Sequence, residues 1–169
     1  LALYEHLRCI GGTRHVGVVL QAYLMRTLDD IDRLTASGPA HFRLCKGIYV
    51  EPPEIAIQDR QGIRDNYLAA LERIFDSGSF VGIATHDDWL VDRAEELIAE
   101  RGLGPEHYEF QMLLGVREKL RDRVLAAGHA LRVYVPFGAD WYGYSVRRLK
   151  ENPALAGTVR IGLFVGNDV

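Results

Sequence analysis

Residues 80–114 read FVGIATHDDWLVDRAEELIAERGLGPEHYEFQMLL. Phe80–Ala84 is a short apolar run with the length of a buried strand, and Phe110–Leu114 is another. Between them Leu90, Ala94, Leu97 and Ile98 recur at helical steps, and Gly102 to Pro105 closes the helix. A strand, a helix and a second strand make one unit, and such a unit joins parallel strands.

The same alternation continues in both directions. Val16–Leu20 and Phe42–Val50 are apolar runs upstream, and Leu131–Val135 is one downstream. Leu24, Leu28, Ile31 and Leu34 keep helical spacing, as do Ile63, Tyr67, Leu71, Ile74 and Phe75, and then Val116, Leu120 and Val124. Ser37-Gly38-Pro39, Ser77-Gly78 and Gly128 end helices. The first residues, LALYEHLRCIGG, begin inside a helical pattern and lack an initiator Met, so the chain reads as a piece of something longer. The expected class is α/β, with five parallel strands in one sheet and helices outside. That order suits either an open doubly wound sheet or part of a barrel. No G-x-G-x-x-G follows a strand and no P-loop motif occurs; Gly102-Leu103-Gly104 is a lone G-x-G in a helix-to-strand turn. With no repeat, low-complexity tract or linker, residues 1–169 form one expected domain.

Composition removes several classes. Hydrophobic residues make up 48% of the 169 and charged residues 25%, ordinary for a globular domain with a core of its own. The net charge of −3 leaves no basic excess to neutralise a nucleic-acid backbone. Cys9 and Cys45 stand far apart, which excludes a disulfide framework and a cysteine-rich zinc site and suits a reducing compartment. No apolar run reaches the roughly 18 residues of a membrane span, and the N-terminus lacks the basic and long apolar regions of a signal peptide.

The strands are apolar, but most end in polar residues. The first closes on Gln21, the second holds Arg43 and Lys46, the third ends Thr85-His86, the fourth contains Gln111, and the fifth contains Tyr134. Function in parallel α/β folds sits outside the carboxyl ends of the strands. This set makes a hydrogen-bonding floor with positive charge and no carboxylate cluster, which suits a flat, polar, anionic ligand better than a divalent metal. Arg43 lies between Phe42 and Leu44 and so on the opposite face of its strand. Asp87 or Asp88 reads as the N-cap of the helix from Trp89. Glu109 reads as a solvated charge at a strand start. Tyr134 reads as a core aromatic before it reads as a proton donor.

A last helix runs from its cap at Asp140 to its stop at Asn152-Pro153. Tyr142, Val146 and Leu149 fall within about 40° of one direction, while Tyr144, Arg147, Arg148 and Glu151 fall about 140–240° away. The polar stripe is either a solvated face or a ligand-facing one, in which two guanidiniums grip a carboxylate.

Taken together, residues 18–24 (VVLQAYL), 43–49 (RLCKGIY), 84–87 (ATHD), 109–117 (EFQMLLGVR), 132–138 (RVYVPFG) and 144–149 (YSVRRL) resemble the proline dehydrogenase (proline oxidase) family, in the family's order and over nearly the whole chain. The likeness is to the short bacterial monofunctional members. The resemblance implies a TIM-like (βα)8 barrel holding FAD, the oxidation of L-proline to Δ1-pyrroline-5-carboxylate with hydride passing to flavin N5, and onward transfer to a quinone at the membrane surface. It implies a cytoplasmic protein, peripheral at the inner membrane. By motif, Arg43 is the catalytic residue beside N5. Gln21, Lys46, Gly47, Ile48, Thr85, His86, Gln111 and Glu151 are FAD contacts. Arg147 and Arg148 clamp the proline carboxylate, with Tyr134 and Tyr144 shaping the pocket. No metal or nucleic acid enters.

A full barrel takes about 250 residues and eight strands, whereas five strands are legible in this sequence. The expectation is therefore the C-terminal portion of a catalytic barrel, with its final helix over the strand rim. The family's catalytic Lys and Asp, on strands before Gln21, would come from the missing N-terminal portion, and a homo-oligomer is the other way to complete it. Two alternatives stand beside this one. The first is a truncated, non-catalytic relic or interaction module without flavin. The second is another barrel enzyme with a phosphate-bearing substrate, for which Val135-Pro136-Phe137-Gly138 is a poor anion loop.

Overall fold

Hydrophobic residues on one side of each expected strand need a cover, and helices supply it. The structure, a computed structural model, describes residues 1–11 and 16–135 together with Gly138 and Val146. Five strands form one sheet: β1 (Val18–Gln21), β2 (His41–Cys45), β3 (Phe80–Ala84), β4 (Tyr108–Leu113) and β5 (Leu131–Tyr134). Their spatial order is their chain order, and every neighbouring pair is parallel. The helices are α1 (Ala2–Gly11), α2 (Thr27–Thr35), α3 (Arg60–Asp76), α4 (Asp88–Arg101) and α5 (Glu118–Ala126).

The sheet has two unlike faces. Leu20, Phe42, Leu44, Val81, Ile83, Tyr108, Phe110 and Met112 are buried in one core with Ile31 and Leu34 of α2, Tyr67, Leu71 and Ile74 of α3, Leu90, Val91 and Leu97 of α4, and Leu120 and Val124 of α5. Each large apolar side chain buried there contributes roughly 1.5–3 kcal/mol. Tyr67 also donates its hydroxyl to the Leu44 carbonyl at 3.0 Å, and burial, first of all, pushes its pKa up. The other face carries Val19, Arg43, Glu109, Gln111, Arg132 and Tyr134. Phe42 and Leu44 point into the core while Arg43 does not, as strand alternation requires. Tyr134 is 52% exposed, so the expectation of a core aromatic fails: β5 has no sixth strand beside it among the described residues.

The largest boundary difference from the sequence reading is in β2, the other strands shifting by no more than two residues at their ends. The run Phe42–Val50 yields a strand only to Cys45. Gly47 adopts φ +108, and a Cβ there would lie 2.1 Å from the Tyr23 ring, so the chain turns where only glycine fits. The segment beyond then folds back on residues 23–25, with Met25 N–H donating to Ile55 O at 3.0 Å and Ile57 N–H to Tyr23 O at 2.7 Å. At the other end, α1 is docked by Arg8, which donates to the carbonyls of Leu34 at 2.6 Å and Gly38 at 2.9 Å beside the end of α2. The last helix expected over 140–152 lies outside the described residues except for Val146, which is helical. Among the described residues no helix is long and apolar enough to cross a membrane.

Candidate functional site

The carboxyl ends of the five strands and the turns that follow them enclose a cavity of 1390 Å³. Gln21, Arg43, Lys46, Gly47, Ile48, Thr85, His86, Gln111 and Tyr134 all line it, so the fold gathers nine sequence-nominated positions from five strands. Tyr144, Arg147, Arg148 and Glu151 lie outside the described residues. Among the described residues six cations line the cavity, Arg43, Lys46, Arg60, Arg64, Arg117 and Arg132, against the two carboxylates Asp87 and Asp88. In a chain of net charge −3 this concentrates positive potential at one mouth.

Asp87 is the centre of the first cluster. It occupies the N-cap position of α4 but its side chain makes no capping bond, contrary to the cap expected there. Its carboxylate, 3% exposed, instead accepts from Lys46 Nζ at 3.0 Å and from Arg64 Nε and Nη2 at 3.0 and 2.6 Å, with Arg60 at 3.9 Å. Burial alone would raise this carboxyl; hydrogen bonds from Arg64 and Lys46, with their charges, overcome it and hold the pKa at about 2. Arg64 lies over the Trp89 ring at 5.1 Å. The backbone N–H of Asp87 reaches Thr85 Oγ1 at 3.2 Å, which accounts for the buried Thr85 hydroxyl. His86 Nε2 accepts from the Leu113 N–H at 3.0 Å, so that nitrogen carries no proton. Arg117, with φ +53, is the one described non-glycine residue in a left-handed conformation, and it bonds Asp88 across the cavity rim.

The second cluster crosses the exposed sheet face. Arg43 Nε donates to Gln111 Oε1 at 2.9 Å, and Gln111 Nε2 donates to Glu109 Oε1 at 2.7 Å. Arg132 clasps the same Glu109 with Nε at 2.6 Å and Nη2 at 3.0 Å. Glu109 is therefore not the solvated charge expected at a strand start; its side chain is 14% exposed and its carboxylate is bonded at both oxygens. The sequence reading passed over Arg60, Arg64 and Arg132. Strand alternation carried a signal for Arg132, which shares a face with Tyr134, and helical spacing one for Arg60 and Arg64. Neither pattern names the carboxylate each would meet.

These residues fit a large anionic cofactor. The cations gather on the cavity wall, and the donors are amide and guanidinium groups rather than metal ligands. Among the described residues no three His, Cys, Asp or Glu side chains come together. Gly47 needs its small size for Tyr23 whatever binds.

Comparison with known proteins agrees over most of the chain. A family model described as Proline dehydrogenase matches residues 2–161. A proline dehydrogenase of Deinococcus radiodurans is 38% identical over 155 residues, covering 92% of this chain and 50% of that one. Proline dehydrogenase 2 of Bacillus subtilis is 41% identical over 140 residues, covering 83% of this chain and 46% of that one. The chain thus spans about half the length of the curated relatives it matches. Among solved structures, proline utilization A from Bdellovibrio bacteriovorus inactivated by N-propargylglycine aligns over 99% of this chain and 20% of its own, with TM-score 0.78 and 23% identity, a likeness of fold. A bifunctional proline utilization A aligns over 90% of this chain and 18% of its own at TM-score 0.76 and 25% identity.

Proposed function

Because the chain belongs to the proline dehydrogenase family, we propose that it forms the C-terminal part of an FAD-dependent enzyme oxidising L-proline to Δ1-pyrroline-5-carboxylate. The observation that carries this is Arg43: a strand arginine on the exposed sheet face, in a cavity that Lys46, Arg60, Arg64, Arg117 and Arg132 also line. FAD, when bound, supplies the two-electron acceptor. The chain's own residues bind and orient. Arg43 presents positive charge where negative charge develops. Lys46, Gly47, Ile48, Gln21, Thr85, His86, Gln111 and Glu151 hold the cofactor. Arg147 and Arg148 fix the proline carboxylate, and Tyr134 and Tyr144 wall the ring, so that substrate and acceptor meet in one orientation. The electrons pass on to a quinone at the membrane surface, which places the protein in the cytoplasm against the inner membrane. The remaining barrel strands come from a preceding segment or from a second copy of the chain.

The test is direct. The chain is titrated with FAD and, separately, co-expressed with the N-terminal half of the Deinococcus relative. FAD should bind, and L-proline should bleach the flavin in the complemented protein. Arg43→Met should slow that bleaching by about 10²–10³-fold, the effect of losing one donor to a developing anion. Arg147→Met and Arg148→Met should each raise the Michaelis constant and leave FAD bound. A colourless protein that takes up no flavin even when complemented refutes the proposal and favours the flavin-free interaction module.

A further inference from the structure

Glu109 lines no part of the cavity wall, yet the exposed face of the sheet is organised around it. A glutamine amide has one accepting end and one donating end. A carboxylate accepts only, so Glu109 takes the Nε2 end of Gln111, at 2.7 Å. That leaves Oε1 for Arg43, whose guanidinium donates only, at 2.9 Å. The row from Arg132 through Glu109 and Gln111 to Arg43 therefore closes in one sense only.

Gly82 makes the reach possible. Arg43 is on β2 and Gln111 on β4, with β3 between them. Two strand spacings are about 9.6 Å, and the Gln111 side chain crosses that gap directly over Gly82, where a Cβ would lie 2.3 Å from Nε2. Gly82 has no positive φ, so its lack of a side chain serves this crossing and not a turn.

The charges are arranged with equal economy. A carboxylate touching Arg43 would anchor it and cancel its charge. Instead a neutral amide anchors Arg43, and Arg132, bidentate at 2.6 and 3.0 Å, neutralises Glu109. Arg43 keeps a full positive charge, held at Nε, and neither terminal nitrogen has a partner among the described residues.

We propose that Glu109 is a positioning residue: through Gln111, laid across Gly82, it fixes the Arg43 guanidinium and so sets where positive charge is presented to the bound flavin. The flavin half of this rests on the function proposed above; the anchoring half does not. The experiment reads the two halves separately. In the ¹⁵N-labelled chain, the Arg43 Nε–H resonance is identified by its loss in Arg43→Lys, and its exchange with water is measured. Glu109→Leu should speed that exchange about tenfold, the loss of one charged hydrogen bond. Gly82→Ala should do the same without altering any charge, and so should Gln111→Asn, whose shorter side chain falls short of Arg43. These two carry the test if Glu109→Leu fails to fold. Unchanged exchange in the folded variants overturns the proposal. In the FAD-loaded protein, Glu109→Leu should lower the flavin midpoint potential in the direction of Arg43→Met. Gln111→Glu should lower it too while keeping Arg43 slowly exchanging. If Arg43→Met moves the potential and Glu109→Leu does not, the proposal is overturned. If neither moves it while Glu109→Leu speeds exchange, the anchoring stands and the flavin assignment falls.

Discussion

Replacing Asp87 by Asn leaves the shape of the site and removes the charge on which three cations converge. The carboxylate is 3% exposed and contacts Lys46 and Arg64 at 2.6–3.0 Å. Its pKa falls from an ordinary 3.8 to about 2, which corresponds to roughly 2 kcal/mol of preference for the ionised form in the folded state. Lys46 and Arg60 are 37% and 77% exposed, so solvent screens part of this, and the expected cost of Asp87→Asn at neutral pH is about 1–2 kcal/mol. The sign follows from the depressed value. A carboxyl that is more acidic when folded stabilises the protein above its unfolded pKa and loses that contribution as pH falls through the folded one. The gap between wild type and variant should therefore be full at pH 7, shrink below about pH 4 and close near pH 2. Urea unfolding at a series of pH values measures it, and the neutral-pH midpoints should differ by about 0.5–1 M. Added salt should narrow the gap through the exposed partners. A gap that stays constant from pH 7 to pH 3, or no gap at pH 7, refutes the assignment of Asp87 as the resident counter-ion.

Three further outcomes can be checked by thermal or urea unfolding. Gly47→Ala should cost more than about 1 kcal/mol, because the left-handed backbone resists a side chain and the Tyr23 ring blocks the Cβ. Tyr67→Phe should cost about 1–3 kcal/mol, since the Leu44 carbonyl loses its 3.0 Å partner inside the core. Arg64→Lys should weaken the cluster by about 1 kcal/mol despite keeping the charge, because a lysine cannot give Asp87 two parallel bonds or lie flat on Trp89.

The fold was legible because its signals are local. Strands appear as short apolar runs and helices as periodic ones, and the alternation of the two fixes parallel pairing. Position on a strand also told which way Arg43 faces. What stayed hidden depends on partners far away in sequence. Asp87 has the residue type and place of a helix cap, and nothing near it in the sequence shows that Lys46, Arg60 and Arg64 converge on its carboxylate. Glu109 looks solvated until β4–β5 pairing sets Arg132, 23 residues on, beside it. The overlong run Phe42–Val50 misleads for a smaller reason: its second half is apolar enough for a strand, but Gly47 turns the chain away, with Tyr23 packed against the turn.

That the strands lie side by side in the order in which they occur has a consequence for how the chain acquires its structure. Each strand pairs with the one before it, so no pairing waits for a distant segment, and the widest interval between partners is the one that holds α3, from His41 to Phe80. Loop closure then costs little entropy at each step. Pairing in chain order suits folding by successive addition of one strand–helix unit to a growing edge, with the β2–β3 closure as the slowest of these parallel pairings. The Arg43–Gln111 bond, spanning 68 residues, is among the exceptions: it joins β2 to β4 across β3 and can form only after three strands are in place, so the geometry of the site is among the last things the chain acquires.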